Sequence, residues 1–88
     1  MQHSKNVEMI AACGLDGSLQ PLRFRYEDGS GELHLAKVLE VISCKEIKYI
    51  YVEAYVYTCR VRVGEEEQTL QVRYAIRTHQ WFLFQRVF

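Results

Sequence analysis

Three histidines, His3, His34 and His79, and three cysteines, Cys13, Cys44 and Cys59, are the residues of this chain with the softest metal-ligating atoms. Zinc sites usually bring ligands in close pairs, such as two cysteines a few residues apart, because one short loop then fixes half of the coordination sphere. No such pair occurs here, so neither a metal nor a cofactor is expected. Nucleophilic chemistry finds no better support. There is no Gly-x-Ser-x-Gly elbow, no phosphate loop and no paired-carboxylate motif, and Gly29-Ser30-Gly31 is explained by turn geometry. The run Glu65-Glu66-Glu67 reads as a charged hairpin tip that resists edge-to-edge aggregation. The expectation is a protein that is not an enzyme.

Binding chemistry has more to work with. Suppose Gly64 to Glu67 form a turn, so that Val63 faces Gln68. Tyr55, Tyr57, Cys59, Val61 and Val63 then share a face with Ile76, Tyr74, Val72, Leu70 and Gln68, and that face is nearly all apolar. A strand alternates its side chains with period two, so two arms agreeing in one register argue for an antiparallel hairpin over a core. The other face carries Arg60, Arg62, Arg73 and Arg77. After a turn at Arg77-Thr78-His79-Gln80, a last strand from Trp81 to Phe88 places Trp81 at the end of the apolar face and Phe82 and Phe84 on the outer one. Arginines beside exposed aromatics suit single-stranded nucleic acid, or a small ligand bound by the same groups, because phosphates pair with guanidinium groups and bases stack on rings. The same residues also suit protein contact. Val56, Ala75, Phe82 and Phe84 form the candidate interaction patch, and Arg60, Arg62, Arg73 and Arg77 are candidate anion or nucleic-acid contacts.

The elements that must position this face precede it. Val7 to Cys13 is a first strand, and Asp16-Gly17 supplies turn chemistry. Leu19 to Tyr26 is a second, with Leu22, Phe24 and Tyr26 on one side, Arg23 and Arg25 on the other, and Pro21 near its start. Asp28-Gly29-Ser30-Gly31 then turns the chain, and with Glu27 facing Glu32, Arg25 faces His34 on the polar side. Beyond Ala36 both faces become apolar through Val38, Leu39, Val41 and Ile42, which predicts a strand bent by a bulge. Ser43 to Ala54 reads as either a long hairpin or a separate short strand. No helical periodicity appears. Met1 to Asn6 reads as a frayed, disordered terminus. The fold class expected is all-β: a small antiparallel meander of five or six strands curled into an SH3-like or OB-like open barrel, one domain over residues 1–88. A flatter sheet that buries its second face in a dimer is the alternative.

Composition limits the partners. Eleven Lys plus Arg balance eleven Asp plus Glu, so no global field holds nucleic acid or an anionic membrane. No apolar run is long enough to span a membrane, and Met1 to Val7 lacks the features of a secretory signal. Three cysteines without a close pair suit a reducing, cytoplasmic compartment. The partner expected is therefore an unknown protein or a second copy, with nucleic acid ranked below and membrane excluded.

The segments Pro21-Leu22-Arg23-Phe24-Arg25-Tyr26, Lys37-Val38-Leu39-Glu40-Val41, Tyr57-Thr58-Cys59 and Gln80-Trp81-Phe82-Leu83 resemble a group of small uncharacterised bacterial proteins. That resemblance covers most of the chain after Leu19 and implies a stand-alone β-domain without implying a chemistry. A fainter similarity, through the arginine-rich strand, the acidic turn and the closing aromatic pair, is to the WYL domain, an SH3-like ligand-sensing module of bacterial regulators. Trp81-Phe82-Leu83 stands where that family has its namesake tripeptide, and the helix-turn-helix of those regulators is missing from this sequence.

Overall fold

The computed structural model describes residues 5–87, with side chains as far as Phe84. Six strands follow one another: β1 (Lys5–Cys13), β2 (Leu19–Glu27), β3 (Leu33–Tyr49), β4 (Val52–Val63), β5 (Glu66–Ala75) and β6 (Gln80–Val87). Each pairs antiparallel with the next, and β1 pairs with β6, so the sheet closes into a small barrel. The all-β meander expected from the sequence is present, closed rather than open. The closing seam is short: Lys5 faces Leu83, Asn6 faces Phe82 and Val7 faces Trp81. Lys5 and Asn6, expected in a frayed terminus, are thus strand residues, while His3 lies outside the described residues. No described helix is long and apolar enough to cross a membrane.

Closure puts one face of every strand inside. The buried cluster is Phe24, Tyr26, Ala36, Tyr57, Cys59, Val61, Leu70 and Val72, with Val7, Met9, Val38, Val41, Tyr55, Val63, Tyr74, Trp81 and Leu83 packed against it. Trp81 is partly buried and lies with its ring centroid 4.9 Å from that of Tyr74 and 5.5 Å from that of Tyr57. The Tyr57 hydroxyl donates to the Leu19 carbonyl at 2.9 Å, tying β4 to the start of β2 across the interior.

Three hairpins show how loop length decides which side chains enter the core. In β4–β5 the turn is two residues, Gly64-Glu65, with Val63 facing Glu66 and Tyr55 facing Tyr74. Gly64 has φ +63°, a left-handed angle that glycine adopts without a Cβ penalty. The four-residue turn expected is therefore shorter by two, and every residue keeps its face. In β5–β6 the loop is four residues, 76–79, two longer than expected, so that Trp81 faces Tyr74 rather than Ile76, Leu83 faces Val72 and Phe82 faces Arg73, again with no change of face. The β2–β3 hairpin differs. Glu27 faces Leu33, Arg25 faces Leu35, Tyr26 faces His34 and Phe24 faces Ala36. Asp28 Oδ1 accepts from the Ser30 and Glu32 amides, and the Asp28 amide donates to the Glu32 carbonyl, so the loop holds one residue more than expected. A slip of one residue exchanges the faces. Leu33 and Leu35 are exposed, and His34 and Ala36 turn inward, correcting the placement of His34 opposite Arg25.

Bulges reshape three strands, the one in β6 making Phe84 the extra residue between Leu83, which faces Val72, and Gln85, which faces Gln71. In β3, extra residues fall at Leu39 and Ile42 relative to β4, the bend expected from the two-sided apolar run. In β2, Leu22 is the extra residue between Pro21, which faces Ala11, and Arg23, which faces Ile10. Pro21 takes the inward position and Leu22 turns out, against the simple alternation expected there. The segment left open in the sequence, residues 43–54, is a long hairpin: β3 and β4 stay paired as far as Tyr49 and Val52.

Candidate functional site

The outer face of β4, β5 and β6 is where the sequence placed its binding residues. Arg73 faces both Val56 on β4 and Phe82 on β6 on the outside of the barrel, and Phe84, the bulge residue of β6, lies beside it. The Arg73 guanidinium carbon sits 4.0 Å from the centre of the Phe84 ring, a cation–π contact, and its Nε is buried without a hydrogen-bond partner. Small residues make room beside these groups. Ala54 and Ala75 face each other on β4 and β5 and form the floor of a cleft of about 340 Å³ walled by Phe82, Phe84, Arg73, Arg77, Tyr51 and Val52. The β5–β6 turn is anchored beside it: the Ile76 amide donates to the Glu53 carbonyl, and the Tyr74 hydroxyl meets His79 Nδ1 at 2.8 Å. Of the expected patch, Ala75, Phe82 and Phe84 line the cleft. Val56 is buried beneath it and does not.

The four arginines do not act as one positive field. Arg60 pairs with Glu67 and, at 3.5 Å, with Glu40; Arg62 lies 3.9 Å from Glu67; Arg77 lies 3.6 Å from Glu53. Arg60 and Arg62 stand near the Gly64-Glu65 turn, at the opposite end of the barrel from the cleft. Only Arg73 and Arg77 reach the cleft, and the charge of Arg77 is met by Glu53. Sequence reasoning had no access to these pairings, since each joins residues on different strands or a strand and a turn, and depends on the final register.

Beside the cleft rises a feature the sequence analysis left without a role. β4 pairs with β5 only as far as Ala54, whereas β3 and β4 stay paired to Tyr49 and Val52, so the tip of the β3–β4 hairpin runs past the rest of the barrel. Its tip is apolar and open to solvent: Ile50 is 81% and Tyr51 83% exposed, and Tyr49 is exposed as well. Isolated exposed apolar residues are ordinary, but a contiguous group of them marks an interaction surface.

The cysteines and histidines have separate surroundings. Cys59 is fully buried, and burial, with the nearby Cys44 as a smaller cause, pushes its thiol up to about 11. Cys13 and Cys44 are exposed, and all three are free thiols. His34 stacks on Tyr26 with centroids 5.2 Å apart and puts Nε2 at 2.7 Å from Asp28 Oδ2. The ligand atoms of Asp28, Glu32 and His34 all lie within 4.8 Å of one another. This grouping escaped the sequence analysis because the expected register put His34 on the other face. The spacing Asp-x-x-x-Glu-x-His across a turn is the signal that could have found it.

Comparison with protein-family models, with curated proteins and with solved structures finds no match for this chain. Functional inference therefore rests on the residues themselves.

Proposed function

We propose that this domain is a non-catalytic interaction module that self-associates, the cleft over Ala54 and Ala75 receiving the apolar hairpin tip of a second copy. The observation that carries this reading is that one chain bears both parts: a cleft walled by Phe82 and Phe84, and, adjoining it, a tip whose Ile50 and Tyr51 lie almost wholly in solvent. Tyr49, Ile50, Tyr51 and Val52 carry no charge, so seating them in the cleft buries apolar surface without bringing in a second ion. A tyrosine ring entering there meets the face of Phe84 and the Arg73 guanidinium, contacts typical of interface anchors. Because Tyr51 and Val52 belong to both the tip and the cleft wall, a twofold axis through this region lets each copy serve the other. Three free thiols fit the cytoplasm as the place where this occurs.

Nucleic-acid binding is the competing reading and has weaker support. Three of its four candidate arginines are paired with carboxylates, and the formal net charge is zero. Sedimentation velocity separates the readings. Wild type forms a dimer as concentration rises, the dimer persists as salt is raised, and Phe82→Ser combined with Phe84→Ser gives a folded monomer. A wild type that stays monomeric throughout removes self-association. Affinity for single strands that falls steeply with salt would point to phosphate contacts instead.

A further inference from the structure

We propose that Asp28, Glu32 and His34, in the loop between β2 and β3, bind a divalent transition-metal cation of the zinc, cobalt or nickel kind. The three side chains come from one short stretch, yet the fold arranges them independently of any ion. Asp28 Oδ1 is fully engaged, accepting from the Ser30 amide at 2.8 Å, the Ser30 hydroxyl at 2.7 Å and the Glu32 amide at 3.0 Å. Its rotamer is thereby fixed, with Oδ2 left to face His34 Nε2. The imidazole is held by its place on β3 and by its stack on Tyr26. Glu32 is anchored through its own backbone, while its side chain stays exposed and free to swing.

Charge and geometry both favour a cation. Neither carboxylate is bridged by a lysine or arginine among the described residues, so two negative charges less than 4.8 Å apart have only the imidazole beside them. Bonds of about 2.1 Å place tetrahedral ligand atoms about 3.4 Å apart. Reaching that from the present arrangement requires only that Asp28 and His34 part slightly and that the Glu32 carboxylate closes in. One imidazole with two carboxylates selects zinc-like ions over calcium and magnesium, which prefer all-oxygen shells. Water completes the coordination sphere, and the ion braces the loop to the first residues of β3. The site lies at the Gly64-Glu65 end of the barrel, away from the cleft, and does not depend on self-association.

Isothermal titration of tag-free protein with zinc chloride near neutral pH tests the proposal, repeated on Asp28→Asn, Glu32→Gln and His34→Ala. Asp28→Asn keeps the Oδ1 acceptor of the turn, and Glu32 serves the turn through its amide alone, so both variants retain the fold, as circular dichroism will check. The expected result is one zinc per chain, affinity at least about tenfold weaker in each variant, and no displacement by excess magnesium. Absence of binding, or binding that all three variants leave unchanged, overturns the assignment and leaves His34 as a hydrogen-bond donor to Asp28.

Discussion

Phe24 and Leu22 sit two residues apart on β2, and strict alternation would bury both. The bulge at Leu22 separates them: Phe24 is 1% exposed and Leu22 42% exposed. Phe24 faces Met9 on β1 and Ala36 on β3, and the absence of a larger side chain at 36 gives its ring room beside Tyr26, centroid to centroid 6.0 Å. Phe24→Ala removes the ring and leaves a cavity in a site walled on both sides by paired strands, a loss of about 3–5 kcal/mol. Total stability for a domain is roughly 5–15 kcal/mol, so the variant keeps little of it. With about 4–8 °C in Tm per kcal/mol at this chain length, the expected drop is at least about 12 °C. Leu22 gives up only part of its surface to the protein, and Leu22→Ala costs about 1 kcal/mol or less. Urea titrations and thermal melts followed by circular dichroism measure both. If Leu22→Ala proved as damaging as Phe24→Ala, β2 would alternate without a bulge and the placement of Pro21 in the core would be wrong.

Other expectations follow the same logic. Trp81→Ala, which empties the space between Tyr57 and Tyr74, destabilises by about 3 kcal/mol or more, whereas Phe82→Ala, on the outer face, lowers Tm only slightly; melts of both variants check the parity of β6. A thiol reagent added to the native protein at mildly alkaline pH modifies Cys13 and Cys44 at once and Cys59 only on unfolding, because the Cys59 thiol is buried and titrates near 11; mass spectrometry of the labelled peptides reads the pattern. Asp28 has a folded-state carboxyl depressed below its unfolded value, so its contribution to stability is present above about pH 4 and is lost as acid protonates the native group. Wild type therefore loses its advantage over Asp28→Asn as pH falls below the ordinary carboxylate range, measured by urea midpoints across an acid series.

How much of this was readable in the sequence depended on whether each error in loop length was even or odd. The β4–β5 turn is two residues shorter and the β5–β6 turn two residues longer than the pattern suggested, and either even change leaves every side chain on its expected face; Cys59, Val61, Leu70 and Val72 are buried as alternation required. The β2–β3 loop is one residue longer, so His34 and Ala36 exchanged sides with Leu33 and Leu35. What decided it was the capping of Ser30 and Glu32 by Asp28, a local hydrogen-bond choice that hydrophobic alternation does not encode. The bend in β3 was legible because Val38, Leu39, Val41 and Ile42 put apolar residues on both faces. The bulge in β2 was not, since Leu22-Arg23-Phe24-Arg25-Tyr26 alternates without a break. At the cleft, Ala75, Phe82 and Phe84 were identified by parity alone. The part of Tyr51 and Ala54, and the neutralisation of Arg60, Arg62 and Arg77, required the full set of strand neighbours.

The central claim is that the hairpin tip of one copy occupies the cleft of another. A mixed sample, half isotope-labelled and half unlabelled, allows nuclear Overhauser contacts between chains to be recorded apart from those within a chain. The account predicts intermolecular contacts from the Ile50 methyl groups and the Tyr51 ring to the rings of Phe82 and Phe84, growing with concentration and lost in the Phe82→Ser, Phe84→Ser variant. Intermolecular contacts confined to other surfaces, or a protein that stays a monomer without such contacts up to the highest concentration reached, would contradict it.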